Sequence, residues 1–285
     1  MYQAKASGRN SLRFFDPAMQ KALEERILLE SELRLALQKD AVVLHYQVQV
    51  DEHLKIIGAE ALLRWQHPRR GLLEPGHFIA LVEETGLIVP IGHWVLESAC
   101  KQLKAWERNP FSCDLQLAIN VSVRQFRIKN FVNEVRKVLN ETGANPARLK
   151  FELTESLVID DVVDTVEKMQ ALKKLGISFA IDDFGTGYSS LAYLKRLPLD
   201  QLKIDKSFVR DIIVNKNDAV IVQTIIGMAT SLGMDTLVEG VETVEQQDFL
   251  SLAGCRAYQG YLYGYPVPLA DFEQQISRQV ISVSS

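Results

Sequence analysis

From residue 41 onward, short runs rich in β-branched and aromatic residues alternate with longer amphipathic stretches. Strand-like runs fall at 42–48, 56–65, 115–121, 149–153, 177–182, 201–205, 236–239 and 256–259. Helical periodicity occupies 92–108, 131–142, 162–175, 219–232 and 244–251 between them. Eight strands joined mostly by helices leave two solutions, an open doubly wound sheet or a closed α/β barrel. Eight units in about 245 residues is the size of a (β/α)8 barrel.

The polar residues choose between the two. Glu60, Asn120, Glu152, Asp182 with Asp183, Lys203 with Asp205, Glu239 and Gln259 lie in or near the C-terminal halves of different strands. In a barrel those ends converge on one mouth, where catalytic groups sit. Strand alternation puts Gln116, Ala118 and Asn120 on one face, Ser178, Ala180 and Asp182 on another, and Ala257 with Gln259 on a third. An alanine below each polar strand end suits an interior narrowing toward a site, although Gln116 does not fit. The expected fold is a TIM-like (β/α)8 barrel over 41–280.

The net charge of −4 offers no global basic surface for a DNA or RNA polymer. An anionic substrate would need metals or a few placed Arg and Lys. Three cysteines without a CxxC fit reduced thiols in the cytoplasm. No run of about 18 apolar residues marks a membrane span, and no charged-then-apolar signal opens the chain.

The acids carry the chemistry. Strands avoid inward Glu and Asp unless each is paired or metal-bound. One such acid alone reads as a solvated or salt-bridged loop edge; Glu60, Glu152, Asp182, Asp183 and Glu239 at one mouth argue for an oxygen-ligated divalent metal. Carboxylates with the Asn120 carbonyl suit Mg²⁺ or Mn²⁺ and not Zn²⁺. The adjacent Asp182 and Asp183 could serve two ions, the arrangement that clamps a phosphoester displacement. Lys203 is either a solvated strand-end lysine or the group that neutralises this cluster and stabilises developing charge. Arg64 shares a strand face with Glu60 and could reach a phosphate.

Other motifs are weaker. The loop around Gly185 and Gly187 fits neither the Walker nor the GxGxxG pattern, and is a turn into a helix capped by Ser189 or Ser190, or a lid beside the metals. The five histidines have no zinc spacing, and no serine sits in a nucleophile elbow.

GAEALLRW at 58–65 resembles the signature of the EAL-domain cyclic di-GMP phosphodiesterases. The likeness continues through HPRRGLLEPGHFIALVEETGLI, LAINVSVRQF, FELTES, IDDFGTGYSSL, LKIDKSF, VEGVET and QGYLYGYP, in family order. The resemblance implies a barrel with one antiparallel strand, and hydrolysis of cyclic di-GMP to linear pGpG with two Mg²⁺ or Mn²⁺ ions. It places Glu60, Asn120, Glu152 and Asp182 at a first metal site, with Asp182 and Asp183 serving the second. Lys203 and Glu239 match positions that orient or activate the attacking water, with Glu239 also counted as a ligand and Glu60 among the catalytic residues. Gln47, Leu63, Arg64 and Gln259 match substrate contacts, with Gln259 also near the water and metals. Glu155 matches the residue that steadies the DDFGTG loop. Val48 stands where family members often carry Pro, a difference expected at the edge of the substrate groove.

Residues 1–18 resemble the end of a GGDEF domain, and 19–40, where Leu23, Ile27, Leu29, Leu33, Leu35 and Leu37 recur at helical spacing, resemble its connector helix. A parent chain with upstream GGDEF and sensory domains and an upstream membrane anchor, and a homodimer, are the partners this implies. The alternative to an enzyme is a cyclic di-GMP receptor that signals through the connector or a dimer contact. A structural scaffold and an unrelated metal-dependent barrel enzyme are the remaining classes.

Overall fold

The first two runs form strands Val42–Asp51 (β1) and Ile56–His67 (β2). Asp51 fixes the turn between them, its Oδ1 accepting the backbone N–H of His53 and of Lys55, both at 2.9 Å. So short a link forces antiparallel neighbours, because parallel strands need a crossover of a dozen residues or more. The computed structural model describes residues 17–39, 41–155, 162–185 and 194–283. Within them the further strands are Gly71–Leu73 (β3), Gln116–Asn120 (β4), Leu149–Thr154 (β5), Ser178–Phe184 (β6), Gln201–Ile204 (β7), Asp235–Val238 (β8), Ala257–Tyr258 (β9) and Val267–Pro268 (β10).

The chain forms two units. One takes in residues up to Val43 together with Trp65–Leu87; the other takes in Leu44–Arg64 and the residues from Ile88 onward. The larger unit is the barrel. Its strands run in the order β1-β9-β8-β7-β6-β5-β4-β2, and β2 closes the ring on β1. Every neighbour pair from β2 through β4 to β9 is parallel, while β1 meets β9 antiparallel. This is the TIM-like (β/α)8 barrel with one reversed strand.

Helices Ile88–Trp106, Phe131–Thr142, Val162–Lys173, Lys216–Ser231 and Val244–Leu252 alternate with the parallel strands, and Leu269–Val283 follows β10. Alternation sends Phe151 and Phe179 outward, where both are fully buried and stack edge-on at 5.9 Å, with Phe126 and Phe131 extending the cluster. The opposite faces of the same strands carry Glu152 and Asp182. The hydrophobic core therefore lies between sheet and helices, and the ring's interior is free to be polar at its mouth. Among the described residues no single helix is long and apolar enough to cross a membrane.

In the smaller unit, the helical spacing expected over 19–40 falls in helix Pro17–Gln38, with Pro17 at its first helical position, where the missing N–H costs nothing. Of the apolar positions that set its spacing, Leu33 is buried while Ile27 and Leu35 are exposed. Trp65 pairs with Leu73 of β3 and meets Phe78 edge-on at 5.8 Å. Glu32 accepts from His67 Nε2 at 3.0 Å and from Arg69, and Arg26 pairs with Glu84. His67 is thus structural, as its lack of zinc spacing suggested.

Candidate functional site

Lys203, in the middle of β7, has no solvent exposure. Its Nζ lies 2.6 Å from Glu152 Oε2, 2.6 Å from Glu239 Oε1, 3.1 Å from Asp182 Oδ1 and 3.5 Å from Glu60 Oε2. Four strands thus deliver four carboxylates to one ammonium, and the solvated-lysine alternative fails. An unpaired buried cation would be expelled or deprotonated; here the carboxylates hold it. Register explains how long acids fit inside the ring. Glu60 stands beside Ala118 on the next strand, and Glu152 beside Ala180.

Amides complete the other side. Asn120 Nδ2 donates to Glu60 Oε1 at 2.6 Å, and Gln259 Nε2 donates to Glu60 Oε2 at 2.7 Å and to Gln47 Oε1 at 3.0 Å. Gln47 Nε2 donates to the Gly264 carbonyl at 3.0 Å, and Gln49 Nε2 to Gln259 Oε1 at 2.9 Å. Gln49 was missed by the sequence reading; the QVQV alternation at 47–50 places it on the face of Gln47 and could have flagged it. The same alternation turns the Val48 side chain away from the two glutamines, where it lines a cavity of about 300 Å³ with Val50, Ile56, Tyr263 and Gln275.

Two adjacent strand residues ordinarily face opposite sides. A register shift between β6 and β7 at Ile181–Phe184, with Asp183 at φ 54°, overcomes this. Oxygens of Asp182, Asp183 and Glu239 then lie within 4.8 Å of one another. Bulges of this kind commonly re-aim side chains beside active sites. Glu155 Oε2 accepts from the Gly185 N–H at 3.4 Å, where the loop begins. The expectations for Gly187, Ser189 and Ser190 fall outside the described residues.

The links that follow β7 and β8 are short and capped. Asp205 caps the helix Lys206–Val209 through the Ser207 N–H, and Thr243 with Gln246 forms a capping box at Val244–Leu252. Gly240, at φ 68°, turns the chain directly after Glu239; a Cβ there would sit 2.4 Å from Lys206 Cβ.

Crowding of charge sets the protonation states of the site's own groups. Burial works to raise Glu60, but the Lys203 ammonium and the Gln259 and Asn120 amides hold it below the usual carboxylate range. Burial and the Glu60 charge push Glu152 well above that range. Burial lifts Glu239 to about 8, against the pull of Lys203, with Asp182 and Glu60 adding to the rise. Desolvation and then the neighbouring Asp182 push Asp183 up to about 6. Burial opposes the charge on Lys203, yet the carboxylates led by Asp182 raise it well above its ordinary value. Glu152 Oε1 is buried with no hydrogen-bond partner. An orphaned carboxylate oxygen in an all-oxygen donor set is what a hard divalent cation would complete.

The structure therefore gathers Glu60, Asn120, Glu152, Asp182, Asp183, Lys203, Glu239, Gln47 and Gln259. Arg64, also buried, donates from Nη1 to the Leu63 carbonyl at 2.8 Å. Its charge also acts on His45, whose imidazole burial holds below its ordinary value.

An acidic cluster able to hold a divalent metal, at the C-terminal mouth of a TIM-like barrel, defines the class. The chain belongs to the EAL domain family, whose pattern matches residues 30–266. It is similar to the bifunctional diguanylate cyclase/cyclic di-GMP phosphodiesterase MucR of Pseudomonas aeruginosa, at 44% identity over 94% of this chain and 39% of that protein. It is also similar to the cyclic di-GMP phosphodiesterase NbdA of the same organism, at 41% identity over 96% of this chain and 35% of that protein. This chain thus spans well under half the length of these curated relatives. The solved structure of the PaMucR phosphodiesterase in complex with c-di-GMP superposes with a TM-score of 0.83 at 43% identity, over 86% of this chain and 99% of that one.

Proposed function

We propose that this chain is a metal-dependent phosphodiesterase that hydrolyses cyclic di-GMP to linear pGpG. One observation carries the reading: a fully buried lysine gathers four carboxylates from four strands, with Asp183 beside them. Once cation binding has displaced the protons that burial holds on Glu152 and Glu239, five carboxylates against one ammonium leave four negative charges, the charge of two divalent cations. Glu60, Asn120, Glu152 and Asp182 would hold one, and Asp182, Asp183 and Glu239 the other, as Mg²⁺ or Mn²⁺. The chemistry such ions supply is Lewis acidity toward a phosphodiester oxygen and activation of water at neutral pH.

The chain's own groups divide the remaining work. Lys203 stays protonated, so it orients the acids and stabilises charge developing on the phosphoryl oxygens. Glu239 then receives the proton of the attacking water. Arg64, Gln47, Leu63 and Gln259 seat the substrate, and Glu155 steadies the loop entered at Gly185. Residues 41–280 form the catalytic domain, 19–40 its connector, and 1–18 the end of an upstream GGDEF-like domain in a longer parent that works as a homodimer. The name of MucR, which pairs a cyclase with a phosphodiesterase, supports that parent architecture. Three free cysteines suit the cytoplasm, where a nucleotide messenger is met.

The test is incubation of the purified chain with cyclic di-GMP and Mg²⁺ or Mn²⁺, with and without chelator, followed by nucleotide chromatography. Metal-dependent pGpG is expected. Tight binding without product would replace the enzyme with a receptor.

A further inference from the structure

We propose that Gln49 is a positioning residue: it fixes which end of the Gln259 side-chain amide faces Glu60. Antiparallel register, with Val50 opposite Tyr258 and Asp51 opposite Ala257, continues to set Gln49 opposite Gln259. Both side chains are buried, as is Gln47. Gln49 Nε2 donates to Gln259 Oε1 at 2.9 Å, and Gln259 Nε2 donates to Glu60 Oε2 at 2.7 Å and Gln47 Oε1 at 3.0 Å.

An amide turned by half a revolution exchanges its donor and acceptor ends. Turned, Gln259 would set its carbonyl oxygen against the Glu60 carboxylate and against Gln47 Oε1, acceptor facing acceptor. Its NH₂ would meet the NH₂ of Gln49, donor facing donor. Glu60 resists the turn at one end, but it also takes Asn120 and stands near Lys203, so its oxygens are shared. Gln49 faces the amide from the opposite side, on the one reversed strand. It is the donor that lets Gln259 keep its carbonyl oxygen buried while both amide hydrogens serve Glu60 and Gln47. An apolar side chain at 49 would leave that oxygen buried and unpaired, which polar interiors tolerate poorly.

The kinetic consequence rests on the phosphodiesterase reading, so the experiment has a second readout. Gln49→Met removes the donor at similar volume, and Gln49→Lys keeps one. In metal-free protein the side-chain amide resonances of Gln259, assigned by their loss in Gln259→Ala, should move in Gln49→Met. Hydrolysis of cyclic di-GMP with Mg²⁺ should fall about tenfold in Gln49→Met and be largely restored in Gln49→Lys. In a Gln259→Ala background, Gln49→Met should cost nothing further, because it acts through Gln259. Unmoved Gln259 resonances, or the same loss in both backgrounds, would overturn the inference. If the unmodified chain gives no pGpG, the proposed function fails while the amide resonances still decide the role of Gln49.

Discussion

Lys203 and the acids around it are stable only together, and that makes their coupling measurable. Removing one partner of a buried ion pair leaves uncompensated charge and costs about 3–5 kcal/mol. Held above its ordinary value, Lys203 contributes stability that is fully present below its unfolded pKa, hence across pH 5–8. Lys203→Met leaves Glu60, Glu152, Asp182 and Glu239 buried without their cation, a state relieved only by protonation. Urea unfolding should show the larger loss at pH 8 and a smaller one at pH 5. Equal losses at both would assign Lys203 a packing role alone. Metal linkage has its own sign. Asp183 and Glu239 are raised, so their protons stabilise the metal-free fold below the unfolded carboxylate range, and that stability is lost as pH rises through about 6 and about 8. A cation needs those same groups deprotonated. Mg²⁺ should therefore raise the melting temperature clearly at pH 8 and little at pH 5, and an equal rise at both would remove these two carboxylates from the metal site.

At the scale of the element, the decisive feature is the bulged end of β6. Asp183 sits at φ 54°, where Asn and Asp are tolerated and a β-branched residue is strained. Asp183→Asn should keep the fold while losing the Mg²⁺ response. Asp183→Val should lose the same response and be less stable than Asp183→Asn by about 1–3 kcal/mol. Equal stability of the two would show that β6 relaxes once the acid pair is gone. This element also marks where the sequence ceases to be informative. Glu60, Asn120 and Glu152 were legible because inward polar residues at strand ends break the apolar pattern. Alternation puts Asp182 and Asp183 on opposite faces, and only the β6–β7 register brings their oxygens together. That register depends on a neighbouring strand. β3 and β10, of three and two residues, are too short for any periodicity to show. Asp205, placed at the mouth by its position at a strand end, does face Asp183 there through a side-chain hydrogen bond, and it also caps the helix that follows β7, a second role the strand pattern did not show.

For the molecule as a whole, the two units rest on different physics. The larger is a ring whose strands each have two neighbours, so opening any one of them disrupts the rest. The smaller depends on a few contacts of helix Pro17–Gln38, among them the carboxylate of Glu32. His67 Nδ1 accepts the backbone N–H of Arg69 at 3.1 Å and of Arg70 at 3.2 Å. The imidazole proton therefore sits on Nε2 and is donated to Glu32, inside a side chain with no exposure. Glu32→Ala leaves that N–H buried without an acceptor, at a cost of about 1–3 kcal/mol. The cost should fall on the unit that holds the bond, as locally cooperative segments open with their own free energies. Amide hydrogen exchange should accelerate across Trp65–Leu87 while the amides of Leu149–Thr154 keep their protection. Acceleration of equal size in both segments would show that the two units unfold as one, and Glu32 would then be a support of the entire chain.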